Sequence, residues 1–352
     1  MALEEQIRKY SRPAELVERL AGGRTRCLAC AHKCVAAPGG SGICKVRFND
    51  GGLLKAPWGY ISAYGLDPIE KKPFFHVLPG CATFSFGMLG CNFKCSFCQN
   101  YLTSQALRDA ACSAGEIEAF TPEKLAADAR AAGAAFCVST YNEPLITAEW
   151  SVEIFKMARK YGIRGAYVSN GYASPEVLDY IKPHVDLYKV DLKTFDDENY
   201  RKVAGGTLSK VLKAIEMIHA KGFWLEIVTL LIPGFNDGAK ELGSLAGFIA
   251  GVSRDIPWHV TAFYPTYLMT DRGRTPPEIL LKARETGLRK GLKYVYTGNI
   301  PGLGYENTLC PSCGKTLVAR RGFEILSNTI KVAKKGDGSC SYCNTAIAGV
   351  WK

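Results

Sequence analysis

The sequence has no apolar run approaching the roughly 18 residues that cross a bilayer, so no membrane-spanning helix is expected. The opening stretch, Met1 to Tyr10, is charged and amphipathic and lacks the apolar core of a secretory signal, which makes the cytoplasm the expected compartment. No block of five or more like charges occurs, although 44 Lys and Arg stand against 33 Asp and Glu. The excess is spread out. Residues 310–352 carry seven basic and two acidic side chains, and residues 1–80 carry twelve and seven. That spread fits a solvated basic surface; a nucleic-acid footprint calls for a patch or stripe, although nucleic acid is not excluded as a partner. With 47% apolar and 22% charged residues over 352 positions, the chain is neither disordered, nor collagen-like, nor a disulfide miniprotein. It is long enough for one large domain and one or two small ones.

Cysteine is abundant where disulfides are not expected. Fourteen cysteines in a chain without an export signal are expected as reduced thiols, and their spacing then reads as metal or redox chemistry. Three groups stand out: Cys27, Cys30, Cys34 and Cys44; Cys91, Cys95 and Cys98; and Cys310, Cys313, Cys340 and Cys343. The remaining Cys81, Cys112 and Cys137 are expected as small buried hydrophobes.

Between residues 84 and 300 short β-rich runs alternate with helical segments. Strands are expected at Phe84–Phe86, Phe136–Ser139, Ala166–Ser169, Leu187–Val190, Leu225–Ile232 and His259–Tyr264. Helices are expected over Pro122–Ala132, Ala148–Tyr161, Pro175–Ile181, Leu208–Lys221, Ala239–Val252 and Pro277–Lys290, several opening on Thr-Pro or Ser-Pro. About six such units predict an α/β fold with a parallel sheet, either a partial (β/α)6 TIM-like barrel or an open doubly wound sheet. In both, chemistry belongs at the carboxyl ends of the strands. Polar and charged residues do gather there: Glu143, Asp191 and Lys193 closely follow apolar strand residues, and charge at the mouth of a buried sheet needs a partner or a ligand. The expected organisation is a cysteine-rich, metal-binding N-terminal region over 1–66, the sheet domain over 67–300, and a C-terminal four-cysteine tail over 301–352.

The most informative segment runs from Gly90 to Asn100, where Cys91, Cys95 and Cys98 are spaced Cys-x3-Cys-x2-Cys on a loop directly after the first expected strand. A closed zinc site wants four protein ligands, and no fourth cysteine is near. Three thiolates on a four-iron cluster leave one iron without a protein ligand, and that corner can chelate a small molecule through an amino nitrogen and a carboxylate oxygen. The spacing, with Phe97 just before the last cysteine, resembles the signature of the radical S-adenosylmethionine (SAM) superfamily. The resemblance implies a 4Fe-4S cluster that passes one electron into SAM, breaking the C5′–S bond to give methionine and a 5′-deoxyadenosyl radical that abstracts hydrogen from a substrate. It also implies an external one-electron reductant of flavodoxin or ferredoxin type.

Further motifs resemble one branch of that superfamily in the same order: Asp67–Pro73, Cys98–Asn100, Thr140–Pro144, Ser169–Tyr172, Asp191–Lys193 and Tyr294–Asn299. The branch is that of the AmmeMemoRadiSam-system radical SAM enzymes, relatives of the pyruvate formate-lyase activating enzymes. By that resemblance Glu143 holds the methionine amino group within Thr140–Pro144, where Tyr141-Asn142 stand in place of the usual glycines. Ser169 and Asn170 contact the SAM carboxylate region, Asp191 and Lys193 match the activases' Asp-Leu-Lys, and His259 lies where a ribose- or adenine-contacting histidine is found. Memo-type and Ammecr-type proteins become candidate partners by the same association.

The flanking groups read as further metal sites. Cys310-x2-Cys313 and Cys340-x2-Cys343, 26 residues apart, have the pattern of a zinc ribbon or rubredoxin knuckle pair. Cys27-x2-Cys30-x3-Cys34-x9-Cys44 suits zinc, with a second iron–sulfur cluster as the alternative. The competing functional reading is a zinc-ribbon module binding nucleic acid or protein, without radical chemistry; it leaves the three-cysteine loop unexplained.

Overall fold

The computed structural model describes residues 3–112, 117–300 and 302–352. These divide into two compact units. The first comprises Met1–Asp67, Ala82–Tyr188 and Glu198–Phe223, and the second Pro68–Cys81, Lys189–Asp197 and Trp224–Lys352. Segment 1–66 lies in the first unit, segment 301–352 in the second, and segment 67–300 contributes to both; Met1, Ala2 and Pro301 fall outside the described residues.

The architecture is α/β with a mostly parallel sheet. In the first unit the strands β1 (Ala63–Pro68), β2 (Ala82–Gly87), β3 (Phe136–Ser139), β4 (Arg164–Ser169) and the start of β5 (Leu187–Asp191) lie in sequence order. β2, β3 and β4 run parallel, with Phe136 opposite both Thr83 and Arg164. All four residues of β3 are buried, as expected of a parallel strand covered on both faces. The helices that follow its strands are α1 (Pro122–Ala131), α2 (Ala148–Arg159), α3 (Pro175–Ile181) and α4 (Leu208–Ala220). Their starts follow from local chemistry. Thr121 accepts from the Lys124 amide at 3.1 Å and Ser174 from the Val177 amide at 3.2 Å, each followed by a proline with no amide to satisfy.

The second unit carries β6 (Trp224–Leu231), α5 (Ala239–Val252), β7 (Trp258–Ala262), α6 (Pro277–Arg289) and β8 (Val295–Gly298). β6, β7 and β8 are again parallel and in order. The six expected strand–helix pairs are present, and β1 and β8 are strands beyond them. Cys112 and Cys137 are buried as expected; Cys81 is only half-buried, because it closes a turn on the Leu78 carbonyl just before β2 begins. Among the described residues, no helix is long and apolar enough to cross a membrane.

A buried polar chain organises the second unit. Glu226 accepts from the Phe75 and His76 amides and from Trp224 Nε1, each at 3.0 Å, and meets His259 Nε2 at 2.6 Å. The Arg320 guanidinium donates to Thr308 Oγ1 at 2.8 Å, Thr308 lies 3.0 Å from the Tyr296 hydroxyl, and that hydroxyl lies 2.6 Å from His76 Nε2. His76 Nδ1 meets the Ala348 carbonyl, which only accepts, at 2.7 Å. Nδ1 therefore carries a proton, and in the neutral ring Nε2 accepts from the Tyr296 hydroxyl. Burial pushes the His76 pKa down to about 4.

An unfolded histidine takes a proton near pH 6.5 and the folded one only near pH 4, so this contribution is full above pH 6.5 and is lost as pH falls through that window. Urea unfolding should show stability dropping by up to about 1.4 kcal/mol per pH unit between those limits, and His76→Gln should flatten the drop. An unchanged slope in the variant would contradict the neutral, buried histidine.

Candidate active site

The loop leaving the carboxyl end of β2 carries Cys91, Cys95 and Cys98, the position at which open α/β sheets place their chemistry. Cys95 and Phe97 are buried, while Cys91 and Cys98 are partly accessible. The Phe93 amide donates to Cys91 Sγ at 3.3 Å, Asn170 Nδ2 approaches the same sulfur at 3.9 Å, and Cys98 Sγ lies 3.2 Å from Ser104 Oγ. Arg108 stitches the loop, donating to the carbonyls of Cys91 at 2.5 Å and Phe93 at 2.6 Å. Burial, followed by the negative charge of Glu143, pushes the Cys91 thiol well above its ordinary range. A thiolate is stable there only with a cation to offset it, which is what a bound metal supplies. The N–H donors aimed at sulfur suit a cluster ligand as well.

The end of β3 is tied to this loop. Gly87 has no room for a side chain, since a Cβ would fall 2.4 Å from the Thr140 carbonyl oxygen. Tyr141 adopts a left-handed φ of 68°, so a tyrosine follows the backbone path open to a glycine. Such a conformation costs about 1–3 kcal/mol and persists only where its surroundings enforce it. Asn142 Oδ1 accepts from the Met88 amide at 3.1 Å. Glu143 is buried and fully engaged: Oε1 accepts from Ser169 Oγ at 2.7 Å and the Leu145 amide at 3.2 Å, and Oε2 accepts from the Asn170 amide at 2.8 Å. Asn170 in turn donates to Asn92 Oδ1 at 2.7 Å. Cys91, Asn142, Glu143, Ser169 and Asn170, singled out separately in the sequence, thus form one connected arrangement, with Asn92 as a member that the sequence reading missed.

Asp191 and Lys193 sit in the second unit at the end of β5. Asp191 pairs with Lys189 through Oδ1 and with Lys193 through Oδ2, the latter at 3.5 Å. Burial alone would raise this carboxyl, and the two ammonium groups outweigh it and hold it below its usual range. Lys189 was also missed; its signal is the two-residue spacing that puts it on the strand face shared with Asp191. His259 is the second residue of β7, at the amino end of the strand, and its Nε2 is engaged by Glu226.

The sulfurs of Cys310, Cys313, Cys340 and Cys343 all lie within 4.8 Å of one another, with separations of 3.6 Å for Cys310–Cys343 and 3.8 Å for Cys313–Cys340. A tetrahedron with metal–sulfur bonds of about 2.3 Å has edges of about 3.8 Å, so the four fit one ion, zinc or iron. Cys310 and Cys340 belong to a buried cluster with Phe75, Tyr294, Tyr296 and Trp351. Among the described residues, no other set of three or more His, Cys, Asp or Glu ligand atoms comes that close, the N-terminal four cysteines included.

Comparison with known proteins agrees with this geometry. A family model described as the Radical SAM superfamily matches residues 87–246, from the last residue of β2 into α5. An uncharacterized protein of Methanocaldococcus jannaschii is 35% identical over 340 residues, covering 96% of this chain and 98% of its own. The pyruvate formate-lyase-activating enzyme of Clostridium pasteurianum is 28% identical over 178 residues, 49% of this chain and 71% of its own. Among solved structures, a radical SAM methyltransferase from Sphaerobacter thermophilus covers 87% of this chain and 81% of its own, with a TM-score of 0.51 and 15% identity, a likeness of fold.

The exposed ligands Cys313 and Cys343 can be changed without opening a core cavity. Cys313→Ser and Cys343→Ser should each release about one metal ion per chain and raise amide exchange across residues 310–347. Metal content equal to that of the unaltered chain would show that the four sulfurs do not share an ion.

Proposed function

The chain belongs to the radical SAM superfamily, and on that premise we propose that it is an activating-type enzyme that uses a SAM-derived radical to take a hydrogen atom from a partner protein. The observation that carries the reading is the hydrogen-bonded path from Cys91 through Asn170 to Glu143, which joins the three-thiol loop to the carboxylate suited to the methionine ammonium. Cys91, Cys95 and Cys98 would hold the 4Fe-4S cluster. With cluster and SAM bound, one electron from a flavodoxin- or ferredoxin-type reductant supplies the cleavage to methionine and a 5′-deoxyadenosyl radical.

The protein's part is to hold and to orient. Glu143, fixed by three donors, presents a carboxylate in a position set before any ligand arrives, which lowers the ordering cost of binding. The Asn170 side chain, held by Asn92, keeps a donor near Cys91 Sγ. Phe86, Met88, Leu89, Phe93 and Phe97 are buried in and beside the loop and supply an apolar surround that would tune the cluster's potential. The Lys189–Asp191–Lys193 set carries one net positive charge, suited to a carboxylate.

Activity on a protein is supported by sequence relatives that are activating enzymes. The order of motifs from Asp67 to Asn299 supports the AmmeMemoRadiSam branch, with Memo-type and Ammecr-type proteins as partners to try first.

The anaerobically reconstituted protein should release 5′-deoxyadenosine from SAM on reduction with dithionite. Cys95→Ala should lower that release by at least about 1,000-fold, a loss of about 4 kcal/mol in transition-state stabilisation. Undiminished 5′-deoxyadenosine production by the variant would refute the assignment.

A further inference from the structure

The N-terminal cysteines form a second sulfur pocket directly against the Cys91 loop. Cys27, Cys30 and Cys44 are buried and Cys34 is half-buried. Two turns present them. The Lys33 amide closes onto the Cys30 carbonyl at 3.1 Å, and the Ile43 amide donates to Cys34 Sγ at 3.5 Å. The Cys27 amide donates to the Cys34 carbonyl at 2.9 Å, and a Cβ on Gly42 would lie 3.7 Å from Cys34 Sγ, so the turns that carry Cys27, Cys34 and Cys44 fold onto one another.

Two buried donors beside this pocket have no partner. Arg47, three residues after Cys44, is fully buried, and its two terminal nitrogens donate to Glu149 at 2.6 and 2.7 Å, leaving Nε unsatisfied. Asn92 Nδ2 is also unsatisfied, and the Asn92 carbonyl is met by His32, two residues from Cys30. Buried donors are almost always satisfied, and cluster sulfurs are acceptors that would do so here.

The pocket and the Cys91 loop share walls. Gly90 has no room for a side chain, since a Cβ would lie 2.7 Å from Val46 Cγ1 and 3.0 Å from the Cys44 carbonyl oxygen. One Arg108 nitrogen donates to the carbonyls of both Ile43 and Cys91, and His32 Nε2 meets the Asn92 carbonyl at 3.0 Å. Asn92 stands between the Cys30–Cys34 turn, through His32, on one side and Cys91 and Asn170 on the other.

The nature of the ligand follows from spacing. The C-terminal four sulfurs gather as one ion requires, whereas among the described residues no three of the N-terminal four come within that limit. Thiolates that share a pocket but not one coordination sphere fit a polynuclear centre, in which several metals and sulfides stand between them. We propose that Cys27, Cys30, Cys34 and Cys44 hold a second 4Fe-4S cluster, which relays electrons to the cluster on Cys91, Cys95 and Cys98. The relay half rests on the function proposed above. An external donor of flavodoxin or ferredoxin type reduces the N-terminal cluster by one electron, and the same electron passes on beside Asn92. The N-terminal cluster returns to its oxidised state, and no bond is made or broken.

Acid-labile sulfide distinguishes clusters from single zinc or iron ions. After anaerobic reconstitution with iron and sulfide, the whole chain should hold about eight labile sulfides, and a Cys91→Ala/Cys95→Ala/Cys98→Ala variant about four. A value near four for the whole chain and none for that variant would overturn the second cluster. The whole-chain value decides the matter if the variant does not fold. The converse variant, Cys30→Ser/Cys44→Ser, should keep about four; if it keeps none while the triple variant keeps four, the radical SAM reading fails and the second cluster stands. In the dithionite-reduced chain the electron paramagnetic resonance signal should be split by coupling between the two clusters. Two independent, unsplit signals would overturn the relay.

Discussion

A buried carboxylate has to find donors, and Glu143 finds them on the neighbouring strand. Leaving a buried charge unpaired costs several kcal/mol, so the Ser169 hydroxyl and the Asn170 amide are drawn to it and the end of β4 is locked to the end of β3. That lock sets Asn170, and Asn170 sets Asn92 and reaches the Cys91 sulfur. The position of the three-thiol loop thus depends on satisfying one negative charge. The same charge helps raise the Cys91 thiol, so the pocket disfavours a bare thiolate and favours one that carries metal.

Sulfur serves this chain in two geometries. At the C-terminal end four thiols fit one tetrahedral ion, and two of them, Cys310 and Cys340, are core residues packed with Tyr294, Tyr296 and Trp351. That ribbon is joined to its unit by the Arg320–Thr308–Tyr296–His76–Ala348 chain and by the Leu78 and Val350 backbone. The motif at Asp67–Pro73 gains a physical role from this. Within it, Glu70 is buried at 3.6 Å from Arg320 and accepts from the Gly80 amide. Beside the carboxyl end of β2, among the described residues, no three thiols gather as closely as those four.

Most of the sheet was legible because its signals are local. Thr121-Pro122 and Ser174-Pro175 start helices by satisfying amides within one turn, and the apolar runs at Phe136–Ser139 and Leu225–Leu231 have no stable place except a buried sheet. β1 was missed because Ala63–Pro68 holds Gly65 and a terminal proline and alternates in exposure, the pattern of a strand with one open face. β8 was missed because four residues ending in glycine resemble a turn. At the site, residue types announced Cys91, Glu143 and Asn170, while Asn92 and Lys189 matter through partners that their residue types do not announce. His259, the second residue of β7, is held by Glu226, a partner its motif position did not announce. Tyr141 stands where glycines are usual in the resembled motif, and the positive φ it adopts was announced only by that position, since nothing in a tyrosine itself signals it.

The central claim is that three protein thiolates leave one iron open for the amino group of SAM. Electron–nuclear double resonance tests it most directly, on the reduced protein with SAM carrying nitrogen-15 at its methionine amino group. The account predicts a hyperfine coupling from that nitrogen, which disappears when unlabelled SAM replaces it. A cluster spectrum indifferent to the label, in protein that binds SAM, would contradict it.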